Sequence, residues 1–219
     1  MAEKRPKAKN YVTPDGVAKY AHLNQPQTNF KAQGVYGVHL VLDPADAAVT
    51  SWLSWLREEE NKGFAAAQQE NPKAVNKTVL VKPDTSKDSD GNDIPTGKVV
   101  VKFSHDASGT RKDKTEWTWK PDLFDANGTP LPKGIVVYGG SKIAVSCQMK
   151  NVLMPTGDYY LSLKLQGVQI LSLVDSFTRE ASSLGFAKRD GYIAESQNAF
   201  GEEAPAEDGA AEEPGVADF

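Results

Sequence analysis

Cysteine occurs once in these 219 residues and histidine three times. The lone Cys147 excludes an intramolecular disulfide framework and any cysteine-based zinc site, and it fits a reducing cytoplasm. His22, His39 and His105 are too scattered to suggest a shared metal site, so they read as solvated or strand-face side chains. Long apolar runs are missing too. Stretches such as Ile135-Val136-Val137-Tyr138 fall far short of the roughly 20 residues a membrane helix needs. The basic opening MAEKRPKAKN has no apolar segment behind it, which argues against a secretory signal. No phosphate-binding loop, dinucleotide fingerprint or metalloprotease helix is present. Asp88, Asp90 and Asp93 lack the glycine position and the closing glutamate of a calcium loop and read as a solvated turn. No cofactor or metal is expected, and no enzyme; a nuclease using scattered carboxylates is the weakest reading.

Positive charge is also missing from one end. After Arg189 there is no Lys or Arg, whereas nine of the 29 acidic residues lie there. The first 189 residues therefore carry 25 basic against 20 acidic side chains, while the whole chain is at −4. A basic body with an acidic tail points to a nucleic-acid partner or an autoinhibitory arm.

The body is expected to be mainly β. Residues 1–10 read as disordered and cationic. Between Lys31 and Asp43, Tyr36, Val38, Leu40 and Leu42 alternate with Val35, Gly37, His39 and Val41, which predicts the first long strand. A helix is expected next, over Pro44–Glu70, with Asp43 as N-cap, Pro44 in its first turn and Asp46 complementing the dipole. Val49, Trp52, Leu53, Leu56, Phe64 and Ala67 give it an apolar stripe, interrupted by Gly63, and Asn71-Pro72 ends it. Residues 73–97 read as a turn-rich excursion with at most a short strand at 78–81. Strands are then predicted over 98–104, 115–120, 135–138, 142–150 and 159–165, the last continuing past Gly167 to Leu173. Cys147 falls on an apolar strand face with Ile143, Val145 and Met149, as a core residue would. Short strands, one long helix and no βαβ alternation predict an OB-fold-like antiparallel barrel over residues 1–195. A sandwich shares the same periodicity. Residues 196–219 are too poor in apolar side chains to fold and read as a disordered acidic tail.

Single-stranded nucleic acid needs cations for its phosphates and aromatic faces for its unstacked bases. The run from Arg111 to Lys120 offers both: Arg111, Lys112, Lys114 and Lys120 with Trp117 and Trp119. The bland alternatives are a solvated hairpin tip and two core tryptophans. Lys102, Lys142, Lys150 and Lys164 fall on polar strand faces that could line a groove, although each alone reads equally well as a surface lysine. Phe30-Lys31 and Tyr159-Tyr160 are further candidates. In the tail, the acids from Glu202 to Glu213 can mimic nucleic-acid phosphates in a cationic groove, and Asp218-Phe219 makes a compact apolar and anionic docking tip.

Several short elements, in order, then resemble the single-stranded-DNA-binding replication proteins of short-tailed phages. They are Gly34-Val35-Tyr36, a helix rich in Glu and Ala, Val101-Lys102-Phe103 before a Lys-rich hairpin, Gly139-Gly140-Ser141-Lys142, and Lys164-Leu165-Gln166 with Val168, closed by the Asp-Phe ending. The resemblance implies an OB-fold core and non-sequence-specific binding of single-stranded DNA in phage replication and recombination. It also implies a tail that shields the groove and docks on DNA polymerase and helicase/primase, in the cytoplasm of an infected bacterium. A homodimer is compatible with it. Gln33 stands where the family pattern can carry a basic residue, with Lys31 two positions earlier. The rival reading is an OB-like interaction module whose basic face meets an acidic protein.

Overall fold

The alternation predicted around Tyr36 is realised almost residue by residue in strand β3 (Val35–Leu42), where Tyr36, Val38, Leu40 and Leu42 are buried and the intervening side chains are half-exposed. In the computed structural model, which describes residues 9–132 and 134–174, it is one of eleven strands. The others are β1 (Tyr11–Val12), β2 (Gly16–Gln27), β4 (Val75–Asn76), β5 (Val81–Lys87), β6 (Asp93–Asp106), β7 (Ser108–Thr110), β8 (Glu116–Thr118), β9 (Asp122–Phe124), β10 (Lys142–Leu153) and β11 (Asp158–Ser172). One α-helix, α1 (Ala47–Glu70), stands among the described residues. The acidic tail expected over 196–219 and residues 1–8 of the cationic N-terminus lie outside them.

Five strands pair in a ring. β2 pairs with β3, β3 with β6, and β10 with both β11 and β2, all antiparallel, and a parallel contact between Lys164 and Ser104 joins β11 to β6. This is the expected mainly-β, OB-like arrangement, although its closure is parallel rather than antiparallel throughout. Leu40, Val101, Phe103, Ile143, Val145 and Leu165 are fully buried, and Val49, Trp52 and Leu56 of α1 join the same apolar cluster. Cys147 lies in it as expected, and burial pushes its thiol up to about 12.

Several elements depart from expectation. The helix starts three residues late because Asp46, not Asp43, accepts the Ala48 amide as N-cap (2.8 Å), while Asp43 closes a turn through the Ala45 amide (2.9 Å). The strand expected first is preceded by the twelve-residue β2, so α1 follows the second long strand. The excursion expected over 73–97 is largely a hairpin of β5 and β6, with Asp88 capping its tip through the Asp90 and Asn92 amides. No strand forms at Ile135–Tyr138. Asn24 instead clamps that segment, donating to the Ile135 carbonyl (2.6 Å) and accepting from the Val137 amide (2.9 Å). Side-chain hydrogen bonds there replace a ladder.

Candidate nucleic-acid interface

Because the apolar residues of each strand point into the ring, their polar neighbours meet on its outside in registered rows. In one row Lys19 of β2 faces His39 of β3, which faces Lys102 of β6. In the next, His22 faces Gly37, Gly37 faces Ser104, and Ser104 faces Lys164 of β11, with Gln148 of β10 beyond. Lys150, opposite Ser162, continues the same face two residues along β10.

A β-bulge makes these rows. Lys19 pairs with His39 and His22 with Gly37, so three steps on β2 span two on β3. Without the extra residue, Lys19 and His22 would point to opposite faces. The bulge sits at Tyr20, whose φ of +51° is uncommon for a non-glycine residue, and leaves its side chain 65% exposed. The Tyr20 ring stands edge-on to His39, with centroids 5.3 Å apart.

Tyr20, His22, Phe30, His39, Lys102 and Ser104 line a cleft of about 280 Å³. Phe30, on the loop between β2 and β3, is 87% exposed. Gly37 lies at the cleft too, and a Cβ there would come within 3.0 Å of the Phe103 carbonyl. The site thus combines a shallow pocket, two exposed aromatic rings and a row of cations.

Its electrostatics are set by partners beneath and beside the rows. Lys19 Nζ donates to Asp84 Oδ1 (2.7 Å) and to the Thr85 carbonyl (2.8 Å), which fixes the ammonium in its row. Burial works against the charge on Asp84, but hydrogen bonds from Lys19 and Thr96 hold its pKa below the usual carboxylate value. Burial, followed by the charges of Lys102, Lys82, Lys19 and His22, depresses the pKa of His39. Lys164 is lowered chiefly by desolvation, against the pull of Asp106. Basic groups outnumber the carboxylates on this partly desolvated surface, which makes its field anion-attracting.

Of the residues singled out in the sequence, Phe30, Lys31, Lys102, Lys150 and Lys164 belong to this face or its edge. Lys31 pairs with Asp106 of β6 at 2.8 Å. Arg111, Lys112 and Lys114 are exposed at the tip of the β7–β8 hairpin, which grows from the Asp106 end of β6 and is pinned by a hydrogen bond from Ser108 to the Gln33 carbonyl (3.0 Å). Lys120 is exposed beside a separate cleft built around Pro121 and Pro130. Trp119 is half-buried, stacked on His105 (4.0 Å, 29°) and edge-on to Tyr36 (5.9 Å). Trp117 is half-buried across Gly109 and meets the edge of His105. Tyr159, expected as a stacking platform, is core instead: it is 1% exposed, packs on Phe64 and donates its hydroxyl to Asn151. A base cannot reach it. Sequence reasoning missed Lys19, Tyr20, His22 and His39. Lys19, Tyr20 and His22 stand in a β2 run of weak apolar signal, and His39 reads as any half-exposed position of an alternating strand.

Among the described residues, no group of three His, Cys, Asp or Glu side chains could hold a metal ion, and no helix is long and apolar enough to cross a membrane. No protein-family model matches the chain, and no curated protein matches it by sequence. Solved structures match its fold. One is gp2.5, a single-stranded DNA-binding protein encoded by bacteriophage T7, with a TM-score of 0.60 and 21% identity over 85% of this chain and 99% of that one. Another is the single-stranded DNA-binding protein from bacteriophage Enc34 in complex with single-stranded DNA, with a TM-score of 0.52 and 13% identity over 77% of this chain and 89% of that one. The fold is one that phage single-stranded-DNA-binding proteins use.

Proposed function

We propose that the protein is a non-enzymatic single-stranded-DNA-binding protein of phage replication and recombination, and that it holds DNA on the outer face of β2, β3, β6 and β11. The observation that carries this reading is the strand register that brings Lys19, Lys102 and Lys164 to one face, beside the exposed rings of Tyr20 and Phe30. Lys19, Lys102 and Lys164 meet phosphates, with Lys31 and Lys150 at the edge. The two rings stack on unpaired bases, a contact worth about 1–3 kcal/mol per base and indifferent to sequence. Duplex DNA keeps its base faces covered and gains only the phosphate term. The Arg111–Lys114 hairpin extends the cationic track past Asp106. Oligonucleotides bind an OB-fold on the face of its second and third barrel strands, which in this ring are β3 and β6, and the Enc34 structure is itself a single-stranded-DNA complex. An acidic protein partner would use the cations but leave the two exposed rings without a role.

The acidic segment from Glu202 to Glu213 competes with DNA for these cations. Asp218-Phe219 docks replication proteins such as polymerase and helicase/primase in the infected cell.

Fluorescence anisotropy with an oligothymidine tests the interface. Tyr20→Ala and Phe30→Ala should each weaken binding by about 5- to 150-fold, the equivalent of one lost stack. The plot of log K against log salt should be steeper than about −2, since each neutralised phosphate contributes roughly −0.7. A salt-independent affinity, or full binding after both substitutions, would overturn the assignment.

A further inference from the structure

Two carboxylates sit among the lysines of the outer face, and they are built differently. Asp84 is buried, with its side chain 8% exposed, and takes hydrogen bonds from both Lys19 and Thr96. It is fixed in place. Asp106 stands at the end of the β6 row, opposite Val35, with its side chain 37% exposed. Its one side-chain partner is Lys31, whose own side chain is 55% exposed, at 2.8 Å. Lys164, two residues from it along the face, is opposite Ser104, and Lys150 lies beyond. The pKa of Asp106 is lowered first by the hydrogen bond from Lys31, against desolvation, and then by the charges of Lys164 and Lys31. Asp106 is thus an anion already seated on Lys31 and within the field of Lys164, on a surface whose other side chains suit phosphate.

An exposed ion pair is a weak contact that water and salt readily open. A phosphate arriving at Lys31 takes over the position of the carboxylate, and the displaced carboxylate remains nearby as a like charge. We propose that Asp106 is an affinity-setting residue of the DNA face, an internal anion that competes with the DNA backbone for Lys31. The inference rests on the outer face being the DNA interface. Its consequence is a protein that binds single strands less tightly than its cations allow, and so leaves them more readily. A carboxylate acting mainly to hold Lys31 in a binding pose would have the opposite effect when removed.

The test compares Asp106→Asn, Asp106→Glu and Lys31→Ala with the full-length wild type, by anisotropy on an oligothymidine over a range of salt. Asp106→Asn keeps the shape and removes the charge. It should bind about three- to tenfold more tightly at low salt, and its salt slope should steepen by about 0.7 as one more phosphate contact forms. Asp106→Glu keeps the charge and should stay near wild type. The gain should shrink when Asp106→Asn is combined with Lys31→Ala, because the competition runs through that lysine. Unchanged or weaker binding by Asp106→Asn, with unaltered thermal unfolding, overturns the proposal. So does a gain of the same size in the absence of Lys31. If the wild type fails to bind oligothymidine at all, it is the interface assignment that falls.

Discussion

His39 shows how the face constrains a single side chain. Burial and four neighbouring basic groups keep its pKa below the ordinary 6.5, so the folded protein resists protonating it. The unfolded chain has no such resistance. The stability linked to His39 is therefore complete above pH 6.5 and is lost as the pH falls through the lower, folded-state value. Thermal unfolding at pH 7.5 and 5.5 should show a larger loss for the wild type than for His39→Gln. Equal losses would mean that the ring is not held neutral. On the proposed interface DNA would act in the other direction, since phosphates beside His39 favour its charged form. At this scale the sequence was partly readable. Lys102 and Lys150 declared themselves by alternating with apolar neighbours, and Cys147 by its apolar strand face. Tyr159 did not, because alternation places a ring on one side of a strand without saying whether a helix covers that side. Here Phe64 of α1 does.

Elements were legible where one periodicity ran unbroken. β3 alternates cleanly, as does β11 from Asp158 to Gly167, and α1 carries its stripe to Ala67. β2 was invisible because its bulge shifts the alternation midway, and because Gly16, Ala18 and Ala21 give little apolar signal. The β5–β6 hairpin was masked by turn-forming residues. Pro83 sits on β5, which pairs only with β6 and so forms an edge where proline is tolerated. Gly63, which interrupts the stripe of α1, has a packing reason. A Cβ there would collide with the Tyr159 hydroxyl and with Asn151 Oδ1, the two groups that hydrogen-bond to each other below the helix. Although alanine is the better helix former, Gly63→Ala should therefore destabilise the protein by about 1–3 kcal/mol, as overpacking does. Chemical denaturation measures this, and a variant as stable as wild type would show that α1 shifts freely over β11.

Across the whole chain, the charge imbalance pointed to a nucleic-acid partner sooner than any motif did. A basic body and an acidic end were visible by counting, whereas the surface that uses the charge depended on strand register. The Arg111–Lys120 run drew attention because cations and tryptophans are adjacent in sequence there. The folded face gathers residues from β2, β3, β6, β10 and β11, which no sequence window joins. If the acidic segment competes for that face, removing residues 201–219 should tighten oligothymidine binding several-fold at low salt, with the difference fading as salt screens both anions. Weaker binding after truncation would reverse the role given to the tail. The most direct measurement of where DNA lies is ultraviolet cross-linking of an oligothymidine to the full-length protein, with the adducts located by mass spectrometry. The account predicts adducts at Tyr20 and Phe30. Adducts confined to Trp117 and Trp119, with none at Tyr20 or Phe30, would contradict it.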